Sequence, residues 1–210
     1  MDPYHKIQTV YKRDPENRFR TLLEGQFSLP EFEYLASNEW VFTEKIDGTN
    51  IRVAWDCTEQ VRFEGRTDRA QIPPFLLDRL RVLFPPAKFG VLYPETPMTL
   101  YGEGYGAKIQ KGGGNYIPGG VDFILFDVKI DGWWLRREDV EGIAANLMIE
   151  VVPEVGAGTL LDAVELVRGG FESEIGTQIA EGLVMRPSVE LFTRAGHRVI
   201  AKIKHRDFPK

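Results

Sequence analysis

The stretch VFTEKIDGTNIRVAW, residues 41–55, constrains the fold most: strand-forming residues run to Glu44-Lys45, break at Asp47-Gly48 and resume at once. Alternation rich in β-branched and aromatic residues favours an extended, half-buried backbone, and Asp-Gly is a turn dipeptide. Two strands are therefore expected, at 41–46 and 49–55. QVRFEGRT (60–67) reads as a third, MTLYGEGYG (98–106) as a strand running into glycines, and VDFILFDVKIDGWWL (121–135) as a hairpin turning at Asp131-Gly132. EGLVMRPS (181–188) and RVIAKIKH (198–205) are the last two strands. Helical spacing appears at 73–84, where Phe75, Leu76, Leu80, Leu83 and Phe84 follow opening prolines. Further helices are expected near 137–148 and 160–168. Strands adjoin strands more often than they pass through helical crossovers. The expected class is α+β, with antiparallel sheets flanked by helices, and not a doubly wound parallel sheet.

At 210 residues the chain fits a single domain, 1–210, with enough length to bury a core. Cys57 is the only cysteine, which excludes internal disulfides and a Cys-based zinc site and suits a reducing cytoplasm. The N-terminal MDPYHKIQTVYKRDPENRFR lacks the apolar region of a signal peptide, and the apolar runs are short, so no membrane partner is expected. A net charge of −5 argues against blanket electrostatic binding to nucleic acid but permits a local basic track. From Arg194 to Lys210, six cations face Asp207 alone. Within that stretch Lys202 and Lys204 are two apart and share one face of a strand, an arrangement suited to an anion.

Charged residues recur inside the expected strands: Lys45, Arg52, Glu103, Asp127, Lys202 and Lys204, with Arg66 and Glu181 at strand ends. A half-buried charge is costly unless it is paired or occupied by a ligand. Several cations with a few carboxylates make up the kit for a triphosphate and its divalent metal: Arg and Lys neutralise phosphate oxygens, and carboxylates bind Mg²⁺. Crowding a lysine among other cations and a metal disfavours its ammonium form and frees the amine as a nucleophile. Lys45 then has a task, attack on the α-phosphorus of a nucleoside triphosphate, while the tight Asp47-Gly48 turn would let backbone approach the phosphates.

Six stretches in order, EKIDGTN (44–50), GRT (65–67), YGEG (101–104), FILFDV (123–128), EGLVMR (181–186) and AKIKH (201–205), resemble the motif series of the covalent nucleotidyltransferases. That superfamily comprises RNA ligases, DNA ligases and mRNA capping enzymes. Thr49 and Asn50 after Asp-Gly, with EGLVMRP, look most like the ATP-dependent RNA ligase family, and within it short proteins of phages and bacteria that consist of the adenylyltransferase domain. The resemblance spans residues 5–208. It implies the nucleotidyltransferase (ligase adenylation domain) fold, ATP with Mg²⁺ or Mn²⁺ as cofactors, a role in RNA repair, and the cytoplasm of a bacterial or phage-infected cell.

Position by position, Lys45 matches the lysine that becomes lysyl-AMP and Glu44 the neighbour that reads the adenine edge. Asn50 matches a polar residue near the reacting phosphate, Arg66 an arginine on the ribose and later the RNA end, and Glu103 the ribose-binding carboxylate. Phe123 would stack on the adenine, with Phe126 as second choice, and Val184 would cover the other face of the base. Glu181 resembles the metal-associated carboxylate. Lys202 and Lys204 match the pair that grips the α-phosphate and stabilises charge as pyrophosphate leaves.

The implied enzyme takes AMP from ATP onto Lys45, passes it to an RNA 5′-phosphate, and lets a 3′-OH displace it. Only six residues follow Lys204, so the OB-type domain of DNA ligases and capping enzymes is not expected. Lysine adenylylation is therefore more strongly implied than strand sealing, and RNA would be gripped by the core itself, by a homodimer or by an accessory RNA-binding protein. The alternatives are a polynucleotide ligase preferring DNA or hybrid nicks, and a nucleotide- or RNA-binding module without turnover. KIQKGGGNY (108–116) lacks the ending of a P-loop and reads as a connection between strands in which Lys108 and Lys111 could touch phosphates. Trp133-Trp134 is expected to pack in its hairpin; with Tyr105 it could instead stack on unpaired bases. His5, His197 and His205 have no metal-ligand spacing.

Overall fold

Side chains alternate across a strand, so each sheet must find a cover for its apolar face. In a computed structural model, which describes residues 2–67 and 69–208, this requirement is met twice over. Lys210, the last cation of the basic C-terminal stretch, lies outside the described residues. The chain divides into two compact units: residues up to His5 with Asp47–Val152, and Lys6–Ile46 with the residues from Pro153 onward.

The first unit holds a sheet in the order Glu150–Val151, Val121–Ile130, Met98–Gly106, Thr49–Trp55, Val61–Gly65, with Trp133–Trp134 pairing alongside Val121–Ile130. All pairs are antiparallel except Glu150–Val151, which joins in parallel. One face, carrying Ile51, Val53, Leu100, Phe123, Leu125 and Val128, is buried in a core with residues of three helices. These are Pro74–Leu83 with Leu76 and Leu80, Pro86–Leu92 with Phe89, and Arg137–Leu147 with Val140, Ile143 and Leu147. Proline at the start of the first two supplies a fixed φ where no intrahelical donor is needed. On the other face the ladders align Asn50, Glu103 and Ile124 in one row and Arg52, Tyr101 and Asp127 in the next. The second row is held by partners outside it. Arg52 is fully buried, donates to the Gly65 carbonyl at 2.8 Å and pairs with Glu64 at 3.1 Å. Tyr4 donates to Asp127 at 2.5 Å and packs against Tyr101, Phe126 and Trp134.

The second unit holds a sheet in the order Gln8–Thr9, Ala201–Lys204, Gly182–Pro187, Trp40–Glu44, Glu154–Gly158, beside a two-stranded pair, Tyr11–Arg13 with Leu22–Phe27. Helix Leu160–Gly169 covers one face. Its Leu160, Ala163, Val164 and Val167 share a core with Trp40, Phe42, Leu183, Met185 and Ile203. A capping box starts that helix: the Thr159 side chain accepts from the Asp162 amide at 3.1 Å while Asp162 accepts from the Thr159 amide at 2.8 Å.

The mixed α+β class and the antiparallel pairing of most strands agree with the sequence, and the hairpin at Asp131-Gly132 turns through two left-handed residues, φ 49 and 84. Asp47-Gly48 is different. Trp40–Glu44 and Thr49–Trp55 do not pair; each belongs to a different sheet, so the dipeptide joins two sheets and not two strands of a hairpin. The short strands before residue 28 and the helices Pro30–Tyr34 and Pro86–Leu92 carried no readable periodicity. Among the described residues no helix is long and apolar enough to cross a membrane.

Candidate active site

Period-two alternation also decides which charges meet. In the second unit, Thr43, Val184 and Lys202 stand opposite one another across three strands, on the face away from the helix-covered core. Lys204 is two residues along from Lys202, so its side chain emerges on the same face. Lys45 follows Thr43 at the same interval, and its amide donates to the Gly182 carbonyl at 2.9 Å. Glu181 sits at the start of the middle strand, and its two oxygens are divided: Oε2 is 2.5 Å from Lys45 Nζ, and Oε1 is 2.5 Å from Lys204 Nζ. The carboxylate is 9% exposed, and its lysines 20% and 15%. Burial alone would raise the Glu181 carboxyl, but Lys45 and Lys204 outweigh it and hold the group below its usual range. Lys45, Lys202 and Lys204 gather on this face around Glu181, which fixes two of the amines in place. Such a face can accept phosphate oxygens.

Glu44 lies on the other side. It alternates with Trp40 and Phe42, is 1% exposed, and accepts from Ser173 Oγ at 2.5 Å and from the Glu174 amide at 2.8 Å. Burial pushes its carboxyl up, against the two hydrogen bonds. This corrects the expectation that Glu44 reads the edge of a base: both its oxygens are occupied in pinning the segment at 173–174. Ser173 carried no sequence signal, since its partner is 129 residues away.

In the first unit, Asn50 and Glu103 are direct neighbours across the sheet, and Arg66 is exposed one residue past the Ile51–Gly65 pair. Asn50 Oδ1 is buried without a hydrogen bond among the described residues. An unmet acceptor in that position costs free energy until a ligand group donates to it. Phe123 is one register step off this row. It faces the helix-covered core, 1% exposed and edge-on to Phe84, with its ring against Gly102 where no Cβ would fit. No open face remains for a base, so the stacking expectation for Phe123 fails, and the residue that shares the Asn50–Glu103 row is Ile124. Phe126, the second choice, packs on Tyr4.

The glycine-rich stretch 108–116 is anchored. Gln110 donates to the Gly48 carbonyl at 2.9 Å, and the Tyr116 hydroxyl accepts from the Asp47 amide at 3.2 Å. A Cβ on Gly48 would lie 2.3 Å from the Gly104 carbonyl oxygen, so close backbone approach, and no turn, is why glycine stands there. Lys108 and Lys111 are exposed. Trp134 packs as expected but Trp133 is 77% exposed, and Tyr105 is buried against Tyr116, which removes it as a stacking platform.

The family model for RNA ligases matches residues 38–204, from the strand that leads to Lys45 to the last residue of the Lys-x-Lys strand. The chain belongs to the RNA ligase family. Among solved structures, Naegleria gruberi RNA ligase in an apo mutant form aligns over 98% of this chain and 58% of that one, with 17% identity and a TM-score of 0.64. A mutant of the same protein with ATP and Mn aligns over 97% and 56%, with 18% identity and a TM-score of 0.68. At this identity the likeness shows the RNA ligase fold. The chain spans about 58% of the length of the first of these structures. No curated protein sequence matches it.

RNA ligase chemistry implies a divalent metal. Among the described residues no cluster of three His, Cys, Asp or Glu side chains could cage one. Glu181 offers a single carboxylate already shared by two lysines. That donor set fits a hydrated Mg²⁺ or Mn²⁺ carried on phosphates and touching at most one protein carboxylate.

Proposed function

We propose that this chain is an ATP-dependent RNA ligase whose adenylyltransferase activity is carried by Lys45, with residues 1–210 acting as one adenylyltransferase domain. A primary amine attacks phosphorus only after losing its proton, and only if the phosphate it attacks is held and its charge offset. Lys202 and Lys204 emerge on the face that carries Lys45, where they would hold the α-phosphate and offset the charge that develops as pyrophosphate leaves. Lys45 attacks as the free amine, the N–P bond forms as the bond to pyrophosphate breaks, and the protons the nitrogen gives up pass to solvent. An oxygen of an RNA 5′-phosphate then attacks the adenylyl phosphorus and releases Lys45, and a 3′-OH attacks the activated end and releases AMP. A bound divalent metal would screen the phosphates and orient them, with Glu181 as its protein contact. Asn50, Arg66 and Glu103 keep the ribose- and phosphate-side roles that the family resemblance implies, and Val184 keeps its place over the base.

One observation carries this reading: Glu181 divides its two oxygens between Lys45 and Lys204, so that the proposed nucleophile and one of its phosphate-binding partners are fixed on one carboxylate. The test is the intact mass of the protein after incubation with ATP and Mg²⁺ or Mn²⁺. We expect an acid-labile AMP adduct that Lys45→Ala lacks and that Lys202→Ala strongly reduces. An adduct of full yield on Lys45→Ala would sink the assignment.

A further inference from the structure

In a chain of net charge −5, cations gathered in one place are held there against the overall balance. In the second unit a cleft of about 700 Å³ opens beside the strand Ala201–Lys204. Lys6, Lys12, Arg13 and Arg206 line it together with Lys202 and Lys204, and among its described lining residues none is acidic. Two carboxylates from outside the lining reach its cations: Asp207, which is buried, pairs with Arg13 at 2.8 Å, and Glu181 holds Lys204 at 2.5 Å. With a further bond from Arg13 Nη1 to the Phe19 carbonyl at 3.3 Å, that guanidinium is oriented in advance.

The same cleft displays an aromatic ring. Phe19 lines it and is 61% exposed, on a turn where both Arg18 and Phe19 adopt left-handed backbone, φ 52 and 61. Consecutive left-handed residues with large side chains are uncommon and costly. Here the turn is knit shut by Phe19 N to Asp14 O at 2.8 Å and Asp14 N to Thr21 O at 3.0 Å. The conformation holds the ring in water beside the cations, where burial gains nothing. An exposed ring set among phosphate-binding side chains is how proteins hold unpaired nucleic acid: bases stack on the ring and cations follow the backbone.

We propose that this cleft binds the single-stranded end of the RNA substrate, with a base stacked on Phe19 and the adjoining phosphates on Lys6, Lys12, Arg13 and Arg206. The proposal rests on the ligase reading for the identity of the strand, and on the cleft alone for its binding. A triphosphate tail would use Lys202 and Lys204 but would need neither the ring nor the four outer cations.

The experiment is fluorescence anisotropy with a labelled, 5′-phosphorylated single-stranded RNA of ~10 nucleotides, titrated at several salt concentrations, alongside self-adenylylation and thermal melting of the same preparations. Phe19→Ala, which removes an exposed side chain, should weaken RNA binding by about 5- to 100-fold. The Lys6→Ala/Lys12→Ala double variant should reduce the slope of log affinity against log salt by about 1.4. Melting and AMP uptake should match the wild type in both. If both variants bind RNA as the wild type does, or if the wild type takes AMP yet binds no RNA, the cleft is not an RNA site. If pyrophosphate displaces the RNA fully and Phe19→Ala has no effect, the cleft belongs to the triphosphate and the proposal is overturned. If RNA binding depends on Phe19 while no AMP is taken up, the cleft stands and the ligase reading falls.

Discussion

Lys45 Nζ and Glu181 Oε2 lie 2.5 Å apart, and they come from positions 136 residues distant in the chain. The pairing places the amine at a defined point on the open face of its sheet. Because the other Glu181 oxygen is held by Lys204, loss of this one carboxylate would release two amines at once.

Replacing the nucleophile with arginine separates structure from chemistry. A guanidinium can keep the ion pair with Glu181 but does not give up its proton in a protein. Lys45→Arg should therefore melt within a few degrees of the wild type, whereas Lys45→Ala should melt lower, and neither should carry AMP by mass. Adduct on Lys45→Arg would contradict the role given to the amine.

Glu181→Gln should destabilise at neutral pH by about 1–3 kcal/mol, a figure kept below that for fully buried pairs because both lysines are partly exposed. The Glu181 carboxyl is held below its ordinary 4.5 in the folded protein, so its contribution is complete above that pH and is lost as pH falls through the lower folded value. Melting curves of wild type and variant should stay separated down to about 4.5 and converge below it. A constant gap through the acid range would show that the carboxylate is not held by its lysines.

Ser173→Ala removes one of the two hydrogen bonds to a buried carboxylate and should cost about 1–3 kcal/mol at neutral pH. Burial already raises Glu44, and losing this bond raises it further. A raised carboxyl binds its proton more readily when folded, so stability increases as pH falls through the folded value. The defect should accordingly shrink in urea titrations near pH 5 relative to neutral pH.

Gly48→Ala would bring a Cβ to 2.3 Å from the Gly104 carbonyl oxygen and 2.7 Å from Glu103 Cγ. Backbone must move to admit it, at about 1–3 kcal/mol. Because Glu103 is displaced with it, the KM for ATP in self-adenylylation should rise as well as the melting point fall. Wild-type values for both would mean that the segment is not tightly opposed.

Phe123→Ala should unfold the first unit more readily, by about 3–5 kcal/mol, since it empties a packed core site. The milder Phe123→Leu should leave the KM for ATP within about twofold, because hydrophobic swaps of similar size are tolerated in a core. A large KM increase for the leucine variant would restore the stacking role that the family resemblance implied.

The sequence by itself determined the type of most of the longer elements and that Lys202 and Lys204 share one face of a strand. Alternation through AKIKH put Lys202 and Lys204 two apart on one strand face, and a strand's period of two carries that information locally, whereas Lys45 and Val184 were marked out by the family resemblance. The same period sets Glu44 and Phe123 on the opposite strand face from their neighbours Lys45 and Ile124. Which face is covered by helices is not written in a strand, however. It depends on where Leu160–Gly169 and Pro74–Leu83 come to pack, a matter of non-local burial. The tertiary structure also decided that Asp47-Gly48 joins two sheets, that Ser173 satisfies Glu44, and that Phe19, Lys6 and Arg206 line one cleft. Such relations join residues tens to more than a hundred positions apart, and only the packed chain brings them within reach.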